Sequence, residues 1–228
     1  MADLARALPR SSLIAVLAAF LAACSALPGQ RVTERPDPGV AGTGGMSRPQ
    51  GAQCLASLSA TGARYSPLAD RYYAPRCQAL GSVQLDRLAG DKGSFALANL
   101  GPVACPLAQA FAGWARYGVD RAARQMLGSP LARIETMGSY SCRNVAGRAR
   151  LSAHARAEAI DIGAFVLGDG RRVTVKDGWN NGSDQERAFL RTVHASACKR
   201  FGTVLGPGYN AAHADHLHVE LGTGSFCR

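Results

Sequence analysis

Four of the five histidines in this chain fall in two short runs, residues 152–161 (SAHARAEAID) and 213–222 (HADHLHVELG). Neutral imidazole offers a lone pair near physiological pH, and a carboxylate beside two imidazoles completes the ligand set favoured by catalytic zinc. Two His and one Asp, with the fourth position left to water, make a hydrolytic site. His154 and Asp161 lie seven residues apart, a distance of roughly 23 Å if extended and about 10 Å if helical. Neither would let both reach one ion, so the run must bend: a turn or short helical segment over 154–158 feeds a strand, 159–163, that presents Asp161. In the second run His216, His218 and Glu220 alternate with Leu217, Val219 and Leu221, the period of a half-buried strand. His216 and His218 then share a face.

The elements that must carry these runs can be read from the rest of the chain. Leu107, Ala110, Phe111, Trp114 and Ala115 recur at helical spacing over 105–117, with Pro106 in the first turn, and 119–127 continues the helix or forms a second one ending at Gly128. A short strand is expected at 83–85 and another over 133–139, with Ile134 and Met137 as its apolar members. The stretch 171–176 (RRVTVK) reads as an outer strand paired through Gly168-Asp169-Gly170. Ser183 to Glu186 is a capping box, opening a helix with Phe189, Leu190, Val193, Ala197 and Phe201 on one side and Gly202 as its stop. Helices followed by strands and one late helix predict an α+β domain with a small, mostly antiparallel sheet flanked by helices. No internal repeat is visible.

At 228 residues the chain fits one domain with appendages, and its 47% hydrophobic content is enough for a real core. Arg6 and Arg10 precede an apolar run, 13–23, that is short for a membrane span and has the shape of a secretory signal. Its end, Leu21-Ala22-Ala23-Cys24, resembles a bacterial lipoprotein cleavage box. The resemblance implies a signal peptide over 1–23, a lipidated Cys24 and, with Ser25 following, a periplasmic domain anchored to the outer membrane. Residues 24–53 are rich in Pro and Gly and read as a tether, about 95 Å when stretched. Six cysteines remain: Cys54, Cys77, Cys105, Cys142, Cys198 and Cys227. An even number in an exported chain predicts three disulfides among fifteen possible connectivities; the expected pairing is sequential, 54 with 77, 105 with 142, 198 with 227. The formal charge is +10, or +9 once Asp3, Arg6 and Arg10 of the leader are set aside. Export and the lack of interleaved aromatic and basic residues argue against nucleic acid, leaving an anionic wall polymer or membrane headgroups as partners for a basic surface.

Four stretches together resemble the bacterial extensin-like C-terminal family: 139–143 (SYSCR), 151–165 (LSAHARAEAIDIGAF), 189–210 (FLRTVHASACKRFGTVLGPGYN) and 213–221 (HADHLHVEL). The pattern Ser-x-His, then Ala-x-Asp, then Asp-x-x-His also resembles the zinc peptidase superfamily of D-Ala-D-Ala carboxypeptidases and lysostaphin-type endopeptidases. That resemblance implies a hedgehog/DD-peptidase-like fold over 54–228 and Zn2+ held by His154, Asp161 and His218. It further implies Asp215 as general base, His216 close to the metal without binding it, and Arg143 on substrate or transition state. Ser152 and Tyr140 would support the site by hydrogen bonds. The expected function is zinc-dependent cleavage of peptidoglycan stem peptides or cross-links by a monomer. The alternative is a non-catalytic wall-binding or scaffolding lipoprotein with a structural or vestigial zinc site. Two positions depart from the pattern: Ala153 replaces Glu, and Ala157 replaces Gly, which implies a turn without a positive φ. His213 reads as a loop residue near the site and His194 as a surface residue.

Overall fold

The computed structural model describes residues 48–228, and the expected signal peptide, lipidated Cys24 and most of the tether lie outside the described residues. Helix α1 (Arg48–Ala60) begins within the stretch expected to be tether. It is followed by β1 (Arg64–Pro67), the hairpin β2 (Arg71–Ala74) and β3 (Cys77–Ala79), then β4 (Ser82–Ala89), β5 (Ser94–Ala98) and β6 (Val103–Ala104). Helix α2 (Cys105–Trp114) passes through a π-helical turn, Ala115–Asp120, into α3 (Arg121–Leu127). Next come β7 (Leu131–Gly138), a 3-10 turn (Ala153–Arg156), β8 (Ala159–Leu167), β9 (Arg172–Thr174), α4 (Val175–Asn181) and α5 (Asp184–Cys198). The chain closes with β10 (Thr203–Leu205), a 3-10 turn (Ala211–His213), β11 (Leu217–Glu220) and β12 (Phe226–Cys227).

The fold is α+β, as the order of elements predicts. Ten strands form one sheet along the path β1-β4-β5-β7-β8-β11-β10-β12, with β6 on β4 and β9 on β8. Only β5 with β7 and β10 with β12 pair in parallel. The core holds Ile160 and Ile162 of β8, Leu217 and Val219 of β11, and Leu107, Phe111 and Trp114 of α2 with Phe189, Leu190 and Val193 of α5. Each of these large apolar side chains contributes about 1.5–3 kcal/mol by leaving water. The Trp114 indole donates to the Val193 carbonyl at 3.1 Å, so the bulkiest core residue carries no stranded polar atom. Among the described residues no helix is long and apolar enough to cross a membrane.

Several local expectations are borne out with identifiable causes. The capping box is formed in both directions, Ser183 Oγ accepting from Glu186 N and the Glu186 carboxylate accepting from Ser183 N. Gly128, at φ 71°, ends α3 in the left-handed conformation. Gly118 does not break the helix; it is buried in the π turn, where an added Cβ would collide with Ser196 of α5. The outer strand expected over 171–176 is cut to three residues, because the Thr174 hydroxyl accepts from Asp177 N and opens α4 instead. Met137 is not an apolar anchor of β7 but solvent-exposed. His194 is not a surface residue either: it is half-buried, lies edge-on to Trp179 and donates to the Arg228 carbonyl.

All six cysteines are bridged, but sequential pairing holds only for Cys198–Cys227; the other two bridges are Cys54–Cys105 and Cys77–Cys142. The sheet decides this. Helix α1 packs on α2 and brings Cys54 to Cys105, while the β2–β3 hairpin delivers Cys77 to the loop leaving β7. Their sequence separations of 51, 65 and 29 correspond to about 4 kcal/mol of stabilisation each in the chain-entropy account.

Candidate metal centre

The site is assembled first by strand register. In the antiparallel pair of β8 and β11, Asp161 stands directly opposite His218. Alternation sends Ile160, Ile162, Leu217 and Val219 into the core, which leaves Asp161 and His218 on the other face. His154 arrives on the 3-10 turn before β8, where Ser152 accepts from His154 N at the cap. One turn of 3-10 helix followed at once by a strand requires a reversal between them. Ala157 supplies it at φ 58°, with Ala157 N donating to the His154 carbonyl and Glu158 N to that of Ala153. The expectation of a turn without positive φ is therefore wrong. An L-residue in this conformation costs about 1–2 kcal/mol, a strain that the closure of the site offsets.

His154, Asp161 and His218 form a candidate metal-binding group, buried, with one ligand atom of each within 4.8 Å of the others. His154 Nε2 lies 3.1 Å from Asp161 Oδ2, His218 Nδ1 2.8 Å from Asp161 Oδ1, and the two ring nitrogens 3.2 Å apart. His154 Nδ1 is 3.1 Å from the Ser139 carbonyl, which can only accept, so Nδ1 carries a hydrogen and Nε2 is the ring atom turned inward toward Asp161 and His218. Sequence reading missed this partner, because a backbone carbonyl has no residue signature. On the far side of His218, Nε2 lies 3.5 Å from the Glu220 carboxylate. Burial disfavours a charge on either partner, yet hydrogen bonds reverse its effect: those to Asp161 and Glu220 push His218 up to about 9, and those from His154 and His218 hold Asp161 well below the usual carboxylate range. In the metal-free chain a proton on His218 Nδ1 thus occupies the space between the three groups.

The remaining expected residues are distributed around this group. His216 precedes β11; its Nδ1 donates to Asp215 Oδ1 at 2.8 Å, and its Nε2 faces Asp161 Oδ1 at 3.6 Å. Asp215 lies before the strand begins, after the 3-10 turn, so the alternation that would oppose it to His218 does not apply. Its half-exposed carboxylate meets His216 and also borders a neighbouring cleft with Gly163 and Met137. Arg143 Nη2 is 4.0 Å from Asp161 Oδ2. His213 sits near the site, its ring 5.1 Å from that of His216 and 5.9 Å from that of His218, and burial beside them pushes it down to about 4. Tyr140 gives no hydrogen bond; its hydroxyl is buried without a partner and its ring packs 4.5 Å from Tyr73. A cavity of about 810 Å³ adjoins the group through His218 and is lined also by His216, Glu220, Arg143, Arg148, Arg150, Tyr209 and Phe226. A second cluster, His194 with Cys198 and Cys227, offers no thiolate ligand because both sulfurs are in a disulfide.

A buried His-Asp-His group beside an open cavity is a constellation that can hold a divalent ion and present it to a ligand. No curated protein and no solved structure matches the chain. The family described as extensin-like protein C-terminus does, over residues 52–228, which takes in every strand and the whole His-Asp-His group, and the chain belongs to that family.

Proposed function

We propose that this protein is a zinc-dependent peptidase of the cell envelope, acting on peptidoglycan stem peptides or their cross-links. One observation carries the reading: His154 Nε2, His218 Nδ1 and the Asp161 carboxylate converge in a buried cluster that meets a cavity at His218, with His154 Nδ1 held by the Ser139 carbonyl. Two imidazole nitrogens and one carboxylate suit zinc in donor type and number, and three protein ligands leave a position free. Bound there, zinc would supply Lewis acidity toward a peptide carbonyl and lower the pKa of water at the site.

The chain's own residues divide the rest of the work. His216, held at Nδ1 by Asp215, lines the cavity with Nε2 turned toward Asp161, and in this reading the Asp215–His216 pair takes a proton from water and returns it to the leaving amine. Asp215 acts through the ring it orients, a more specific assignment than a lone carboxylate base. Arg143, next to Asp161 at the rim, is placed to orient a carbonyl or carboxylate of the substrate. Peptidoglycan is favoured as substrate by the resemblance to wall peptidases and by the exported, tethered organisation expected from residues 1–53. Zinc content by elemental mass spectrometry and digestion of purified peptidoglycan test the reading together. About one zinc per chain, absent from Asp161→Ala, with new stem-peptide fragments from wild type alone, is the expected result. Metal-free wild type that refuses added zinc overturns it and leaves a wall-binding lipoprotein.

A further inference from the structure

Residues 143–152 form a hairpin that the sequence does not announce. Ser152 N donates to the Arg143 carbonyl at 3.0 Å, Val145 N to that of Arg150 at 3.0 Å and Arg148 N to that of Val145 at 2.9 Å, while Asn144 bridges Leu151. Gly147, at φ 69°, turns the tip. One end of the hairpin is tied to β3 through the Cys77–Cys142 disulfide, and the other runs directly into the turn that carries His154. Its backbone is thus fixed relative to the candidate metal centre, and it delivers three arginines, Arg143, Arg148 and Arg150, to the cavity beside that centre.

Two of the three have nothing to pair with. Elsewhere in the domain Arg116, Arg121, Arg133, Arg156, Arg171 and Arg172 lie against a carboxylate, whereas Arg64, Arg71 and Arg76 are in no ion pair among the described residues, so what sets Arg148 and Arg150 apart is their place on the cavity wall. Arg143 has Asp161 at 4.0 Å, but Arg148 and Arg150 have no acidic partner among the described residues. A guanidinium presents a planar fork matched to a carboxylate, and forks that the protein leaves empty at a cavity wall are available to a ligand. The same cavity is lined by Tyr209 and Phe226, ring centroids 5.6 Å apart and both partly exposed, which offer apolar surface to whatever the arginines hold. A concave site of this size is suited to a chain segment.

Resting on the peptidase reading above, we propose that Arg148 and Arg150 form a carboxylate subsite that selects peptides carrying two free acidic groups beyond the bond being cut. The chain then distinguishes acidic stem peptides from those whose carboxyl groups have been amidated. The test uses the full-length chain and two fluorescent probes, L-Ala-γ-D-Glu-diaminopimelate-D-Ala and the same peptide with its Glu and diaminopimelate carboxyls converted to amides. Fluorescence anisotropy gives the affinities. Wild type is expected to favour the acidic probe by about tenfold or more, and Arg148→Gln or Arg150→Gln to lose about threefold to tenfold on that probe alone, in keeping with charge-assisted pairs. The double variant should abolish the preference, while Arg64→Gln, equal in charge change but on β1, should keep it. Equal affinity for the two probes, or a preference that survives in the double variant, overturns the subsite. Peptide discrimination that stays intact while the double variant loses retention on phosphatidylglycerol vesicles also overturns it, in favour of a membrane-facing patch. Arginine-dependent preference in a protein that does not digest peptidoglycan keeps the subsite and sinks the peptidase reading; digestion without the preference does the reverse.

Discussion

Ala157 is the residue where local preference and site geometry disagree most openly. Its φ of 58° is imposed by the two hydrogen bonds that end the His154 turn, and an added hydrogen in place of its Cβ would relieve the strain. Ala157→Gly should therefore stabilise the domain by about 1 kcal/mol, the left-handed penalty less the extra entropy that glycine loses, with a rise of a few degrees in melting temperature by calorimetry. A fall would mean that the buried methyl contributes more packing than the strain costs. At His216 the expectation concerns chemistry. On the proposed reading His216→Ala should retain zinc, because the three candidate ligands are elsewhere, and reduce peptidoglycan cleavage by about a hundredfold or more. Asp215→Asn, which leaves the ring in place but weakens its hold, should cost less. If Asp215→Asn proves the more damaging of the two, the carboxylate rather than the imidazole takes the proton.

At the scale of elements, the disulfide between Cys77 and Cys142 couples a peripheral hairpin to the arm that precedes the metal ligands. Replacing both cysteines with alanine should lower stability by about 4 kcal/mol in the chain-entropy account, read as a shift in the denaturant midpoint. It should also weaken ligand binding at Arg148 and Arg150 in the protein that remains folded, since the arm then keeps only its backbone bonds and the end joined to the His154 turn. The π turn over Ala115–Asp120 is a second coupling. It places Gly118 against Ser196, so that α5, which lies beneath the sheet, approaches closely. Gly118→Ala should destabilise the fold without touching zinc content, a separation that elemental analysis of the folded fraction would check.

For the molecule as a whole, the metal-free and metal-loaded states should respond to pH in opposite directions. His218 is raised from 6.5 to about 9 in the folded metal-free chain, so its contribution is complete below pH 6.5 and disappears as the pH climbs through 9. Asp161 is lowered from 3.8, so its contribution is present above that value and disappears as the medium is acidified. The cluster therefore favours the metal-free fold most between about pH 4 and 6.5. On the proposed reading zinc displaces the His218 proton, and its affinity should fall about tenfold for each pH unit below 9 from this group alone. Thermal melts with and without chelator across this range give the check: a zinc-dependent gain that grows with pH is expected, and a gain independent of pH would mean that His218 is not a ligand.

How much of this could be read in advance follows from the range over which each interaction acts. The bend between His154 and Asp161, the strand that carries His218 though not His216, the capping box and the helix stop at Gly128 rest on neighbours a few residues apart, and the order of residues by itself determined them. The same short range made the even cysteine count and the α+β class legible. The tertiary structure alone decided the Cys54–Cys105 and Cys77–Cys142 bridges, the Ser139 carbonyl on His154, and the placing of Arg148 and Arg150 on the wall of the cavity that His218 lines. Each of these depends on which strands become neighbours in the sheet or on how a loop closes over it, and those choices are made by burial of the whole core, which no short window of sequence contains.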